Sequence, residues 1–157
     1  MVRAISNSDN ESKSNQVSAF TPALAAKMLP LVRRIVEDLM RLNRSIEAQR
    51  EQLHGIDQLS ETIDQADYSE ELSDVRESLE DDEQQLAACI GELTSLGLKT
   101  HLPIDGSVDF PAVINRRSVC LCWNPKDGDQ LYWHEVGETT KQRQKIDPQS
   151  FAVESLN

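Results

Sequence analysis

The chain carries 157 residues, of which 38% are apolar and only 4% aromatic, and 27 acidic side chains against 16 basic ones give a formal net charge of -11. That length suits one domain, and so charged and aromatic-poor a composition predicts an elongated shape over one large globular core. The negative field disfavours nucleic-acid phosphates and anionic membranes as partners, and no apolar run reaches the ~20 residues of a membrane span.

Three cysteines, Cys89, Cys120 and Cys122, are an odd number, and the first twenty residues hold no apolar signal core. Both features predict a reducing, cytoplasmic setting without a disulfide framework. Residues 1–18 are rich in Ser, Asn and Asp with almost nothing to bury, and are expected to form a disordered tail.

Order is expected from the segment FTPALAAKML. Thr21 can cap a helix, Pro22 fits its first position, and the alanines favour it. Leu24, Met28, Leu31, Ile35, Leu39, Leu42, Ile46, Leu53 and Ile56 recur at helical spacing, and Val32, Val36 and Met40 widen this stripe near its beginning. Gly55 and the polar residues 57–67 mark the helix end.

A second helix is predicted from Asp67, with Glu70 completing a capping box, through Leu72, Val75, Leu79, Leu86, Ile90, Leu93 and Leu96 to a left-handed cap at Gly97. Glu83 interrupts its apolar stripe. Residues 64–83 hold ten acidic side chains and only Arg76 as a base, so an antiparallel pairing is expected. It sets Arg41 and Arg44 opposite Asp81, Asp82 and Glu83, and Arg33 or Arg34 toward Glu92. Such exposed pairs are each worth about 0.2–1 kcal/mol.

After Leu98 the period changes to two. LKTHL reads as an edge strand, PIDGSVDFPAV as a turn-rich crossing, and SVCLCW and QLYWHEV as strands around the turn-prone NPKDGD. The register of that hairpin stays open: one pairing sets Cys120 against His134, another sets Leu121 against His134. The predicted fold is mostly α with a small β unit. It comprises a long antiparallel, coiled-coil-like helical hairpin over 19–96, a β-hairpin or three-stranded head over 97–147, and a flexible tail over 148–157. A hairpin of that size must pack on the wide apolar end of the helices, and the remaining apolar edge near Val32, Val36 and Met40 predicts a homodimer.

Three chemistries compete in the head. Phe110, Arg117, Trp123, Tyr132, Trp133, His134 and Arg143 combine flat apolar area with fixed donors, the composition of a protein or small-molecule binding site. A thiol-dependent enzyme would use Cys122 as nucleophile, His134 as base, and Asp109 or Glu135 to orient the ring. A zinc site would use Cys120, Cys122 and His134, with Asp109 or Glu135 completing the set, since a lone C-x-C plus one His falls short of four ligands. No G-x-S-x-G elbow, phosphate-binding glycine loop or H-E-x-x-H helix is present.

The ordered series ELTSLGLK, VDFPA, RRSVCLCW and YWHE, followed by Arg143, resembles the DUF2203 family of uncharacterised bacterial proteins over roughly residues 20–146. The matching positions are Gly97, Asp109, Phe110, Pro111, Arg117, Cys122, Trp123, Trp133, His134, Glu135 and Arg143. The sequence departs from that pattern at Cys120, where an aromatic or aliphatic residue is expected. It departs again at Thr100 or His101, where an acidic one is expected, and at ETTKQ, which replaces a glycine-rich approach to the arginine. The resemblance supports the architecture and implies no substrate. The leading expectation is an interaction or scaffold module with an aromatic head, not an enzyme and without a cofactor; the thiol enzyme and the zinc protein are the alternatives.

Overall fold

A computed structural model describes residues 19–59 and 65–146. The expected tails, Phe151 and the tip between the helices lie outside the described residues. Two helices, α1 (Pro22–Leu59) and α2 (Gln65–Ser95), form the hairpin. Five strands follow as an antiparallel meander: β1 (Lys99–Thr100), β2 (Val108–Ile114), β3 (Arg117–Trp123), β4 (Tyr132–Glu135) and β5 (Gln144–Lys145). The predicted class is therefore observed. No helix of the described residues is long and apolar enough to cross a membrane.

The helix ends follow local chemistry. Thr21 Oγ1 accepts the Leu24 amide at 3.1 Å, and Pro22 is the first helical residue. Gly97 adopts φ 90°, which glycine tolerates best, while the Leu98 amide donates to Leu93 O at 3.0 Å and the Gly97 amide to Thr94 O at 2.9 Å. Leu93 and Leu98 are both buried, the apolar contact that accompanies this cap. α2 begins at Gln65, so Asp67 falls inside the first turn rather than before it.

The buried face of α1 differs from the expected stripe at its beginning. Leu24 and Leu31 are exposed at 45% and 48%, whereas Ala25, Leu29, Val32 and Val36 are buried. The sheet lies across that second face and overrides the seam the helix pair alone would choose. Burial of Val32 and Val36 also covers, within one chain, the apolar edge from which a homodimer is expected. Farther along, Ile35, Leu39, Leu42, Ile46 and Ile56 are buried as their spacing predicts.

The interhelical charges pair in a different register from the expected one. Ser45 Oγ and Gln49 Nε2 each donate to Asp82 Oδ2 at 2.7 Å, and Arg50 meets Glu83 at 3.0 Å. Arg41 instead meets Asp38 on its own helix at 3.5 Å. Arg33 leaves the helix pair, donating to Gly128 O at 2.8 Å and lying 5.5 Å from the centroid of the Trp123 ring.

The segment expected to cross the hairpin base is strand β2. Pro111 sits beyond the short pairing with β1, so its missing N–H faces an edge, where its carbonyl accepts the Phe20 amide at 2.7 Å. Val108, Phe110, Ala112, Val119, Leu121 and Trp123 form the inner face and join the helix residues in one core. Leu39→Ala, inside this core, should cost about 2–5 kcal/mol in urea unfolding. Leu24→Ala should stay within roughly 0.5 kcal/mol; equal losses at both positions would contradict the assigned face.

Candidate metal centre

Side chains alternate between the faces of a strand, so the inward commitment of Phe110, Leu121 and Trp123 sends Asp109 and Cys122 to the opposite face. Asp109 stands directly opposite Cys122, and Cys120 opposite His134. The even-to-even register is thus the one adopted, with Leu121 facing Trp133. Lys99 pairs with Asp109, which brings His101, two residues on, to the same side.

These four residues converge. One ligand atom from each of His101, Asp109, Cys122 and His134 lies within 4.8 Å of every other. Cys122, His134 and Asp109 are buried, with relative exposures of 0%, 3% and 8%, and His101 is half-buried. Asp109 is the hub: Oδ1 lies 3.1 Å from His134 Nε2, and Oδ2 lies 2.7 Å from His101 Nε2.

The proton inventory does not balance around that hub. His134 Nδ1 lies 2.9 Å from the Glu135 backbone carbonyl, which can only accept, so Nδ1 carries a proton. In neutral His134 the Nε2 atom is then a bare lone pair facing a carboxylate oxygen. His101 Nε2 is buried and, although close to Asp109, is not aligned for a hydrogen bond. Neutral His101 can carry its proton on Nε2, so the His134 nitrogen is the one left as a lone pair against Asp109, a conflict that one added proton or a metal ion relieves. A divalent ion on Asp109 carboxylate, Cys122 thiolate and two neutral imidazoles sums to zero.

The backbone carbonyl at Nδ1 also fixes the tautomer and ring orientation as an outer partner does for a metal-bound histidine. A tetrahedral ion with bonds of about 2.0–2.3 Å sets its donors roughly 3.5 Å apart, within the spread of this cluster. The residues present therefore fit a metal, and the expectation of no cofactor is corrected by this convergence.

The thiols point the same way. Burial, with the Asp109 charge behind it, pushes the Cys122 thiol up to about 12. Both causes oppose the thiolate in the metal-free chain; a metal would supply the charge that removes the proton. Burial also raises Cys120 and Cys89.

Other expected site residues fall elsewhere. Phe110 and Trp123 are fully buried in the core, and the Trp123 indole N–H donates to Gly128 O at 2.9 Å, so an aromatic recognition surface does not form. Trp133 packs against the same core, while Tyr132 lies on the other face beneath Arg143. Arg117 and Glu135 pair with each other at the surface. Cys120 faces His134 but stands outside the four-residue group, and Cys89 sits on α2. The zinc alternative on Cys120, Cys122 and His134 is thus recomposed: Asp109 rather than Glu135 is the completing carboxylate, His101 joins and Cys120 leaves. His101 was missed as a ligand, although its edge-strand position on the Lys99 face was the available signal.

The family model described as Uncharacterized conserved protein (DUF2203) matches residues 18–146, and the chain belongs to that family. No curated protein and no solved structure matches it.

In native, chelator-treated protein at pH 8, peptide mass spectrometry should find Cys122 alkylated last of the three thiols. Preferential labelling of Cys122 would contradict its buried, protonated state.

Proposed function

We propose that this DUF2203-family chain is a metal-binding protein whose β head holds one divalent, zinc-type ion on His101, Asp109, Cys122 and His134. The observation that carries the reading is the convergence of these four donors with His101 Nε2 buried and lacking a hydrogen bond. Two imidazoles, one thiolate and one carboxylate make a borderline-soft set that suits zinc; calcium and magnesium favour oxygen donors alone. Four protein ligands fill a tetrahedral shell, whereas a catalytic zinc keeps a position open. The reading is accordingly one of holding metal and stiffening the head, not of activating water.

The ligands come from three adjacent strands and the loop after β1, so an ion would tie β1, β2, β3 and β4 together across their backbone ladder. Its binding free energy would then contribute to folding.

Elemental analysis of untagged, zinc-saturated protein after desalting should return one zinc per chain. Cys122→Ala and His134→Ala should each weaken binding by more than the roughly 10–100-fold typical of losing an outer-shell partner. Cys120→Ala should retain full stoichiometry. Calorimetry at pH 7 in buffers of different ionisation enthalpy should show at least one proton released per zinc, that of Cys122. Substoichiometric zinc at saturation, or undiminished binding in the Cys122→Ala, His134→Ala double variant, would overturn the proposal.

A further inference from the structure

Next to the four-donor cluster lies a cavity of about 230 Å³ that shares none of its ligands. Ser107 and Asn124, two of its lining residues, stand two positions along the chain from Asp109 and Cys122, roughly 7 Å in extended backbone. Lys126, Lys141 and Arg143 also line it, against the carboxylates of Asp105 and Asp127. Three cations facing two carboxylates leave this spot positive in a chain whose formal net charge is -11.

Both carboxylates are already engaged. Asp127 grips the Arg143 guanidinium at 2.6 and 2.7 Å, and Asp105 Oδ1 accepts the Ser107 amide at 2.8 Å. The two ammoniums are not, since no described carboxylate forms an ion pair with Lys126 or Lys141. Asp127 takes one N–H from each of Nη1 and Nη2, which leaves Arg143 three further donors.

The cations are also held in place before any ligand arrives. Lys126 belongs to the 3-10 turn Pro125–Asp127, closed by the Asn124 capping box, and Arg143 is fixed between Asp127 and the Tyr132 ring, 4.0 Å from its centroid. Lys141 belongs to the turn Thr140–Gln142, where the Thr139 amide donates to Gln142 Oε1 at 2.9 Å. Such preorganised backbone lowers the ordering cost of binding.

Asp105, Asn124 and Lys126 line a second, adjoining cavity of about 250 Å³, to which Met40 and Pro125 add apolar surface and Arg44 a further cation beside Glu37. The pair of cavities is of small-ligand size. We propose that they bind a small phosphomonoester, its phosphate among Lys126, Lys141 and Arg143 and its organic part against Met40 and Pro125. Donors from three separate side chains suit the oxygens of a tetrahedral dianion better than the two coplanar oxygens of a carboxylate. This binding is independent of the metal reading.

Amide NMR of the full chain, as purified and after chelation, follows titrations at fixed ionic strength with inorganic phosphate, phenyl phosphate and a short phosphoserine peptide. Phosphate should give saturable shifts confined to residues 124–128 and 139–143. Phenyl phosphate should bind more tightly and extend the shifts to Met40. Lys126 and Lys141 are exposed, so their variants should fold. Lys126→Gln and Lys141→Gln should each weaken phosphate binding about 3-fold, the scale of an exposed charge contact, and the double variant about 10-fold. Lys27→Gln, an exposed lysine outside the cavity, should leave it unchanged.

Shifts spread over the whole chain, or an equal loss in Lys27→Gln, would reveal a diffuse ionic effect and overturn the proposal. Binding undiminished in the double variant, or absent through the millimolar range, would overturn it too. A phosphoserine peptide that binds more tightly than phenyl phosphate would defeat the small-molecule assignment, and binding abolished by chelation would put the phosphate on an ion instead. The metal reading stands or falls separately, on zinc stoichiometry.

Discussion

The docking of the inner face of β2 and β3 onto the base of the helical hairpin governs the rest of the molecule. Trp123, Phe110, Leu121 and Val108 are all fully buried there, together with Val32, Val36 and Leu39 of α1. Each such side chain gains about 1.5–3 kcal/mol by leaving water, and together they outweigh the few polar contacts on the opposite face. Because strand side chains alternate with a period of two, this apolar commitment leaves no choice about the other set. A slip of one residue would turn Trp123 outward and Cys122 inward, so the core itself fixes Asp109 and Cys122 on the outer face.

What that outer face gathers is a donor set suited to a cation. A buried polar group left without its partner costs about 1–3 kcal/mol, and the cluster contains an unaligned His101 nitrogen and a His134 lone pair directed at a carboxylate. A sheet could avoid this arrangement with apolar residues at the same positions. The raised Cys122 pKa follows from the same environment, since burial and the Asp109 charge both oppose a thiolate. A divalent ion held by these residues would satisfy the nitrogens, balance the carboxylate and accept the sulfur.

The helical hairpin and its caps were legible because Thr21, Pro22 and Gly97 act through nearest neighbours, and local chemistry determines what they do. The exposed Leu24 and Leu31 were misread for the opposite reason: a single periodic stripe cannot reveal that a sheet from the far end of the chain will choose the adjacent face. β2 was hidden by Pro111 and Gly106, turn residues by rule, yet Pro111 is accommodated at an edge and Gly106 has φ 89° in the loop before the strand. Asp109, Cys122 and His134 were each visible as candidates. Their association with His101 depended on hairpin register, set by the Asn124 capping box and the eight residues between Trp123 and β4, Asn124 to Leu131 with Gly128 among them, rather than by a two-residue turn at Asp127 and Gly128.

The acidic stalk bears on the site through register. Ser45, Gln49 and Asp82 form a polar staple between the helices, and the Gln49 carbonyl oxygen is buried without a hydrogen bond, so this layer weakens packing in return for directionality. Directionality matters because α2 leads straight through the Gly97 cap and Leu98 into β1, and β1 delivers His101. A slip of α2 by one turn would translate that connection by about 5.4 Å, far more than the cluster could absorb. Leu93 and Leu98 lock the near end by burial, while the staple opposes the slip farther along. The position of His101 beside Asp109 thus depends on contacts that Ser45 and Gln49 make with Asp82, far from the site along the helices.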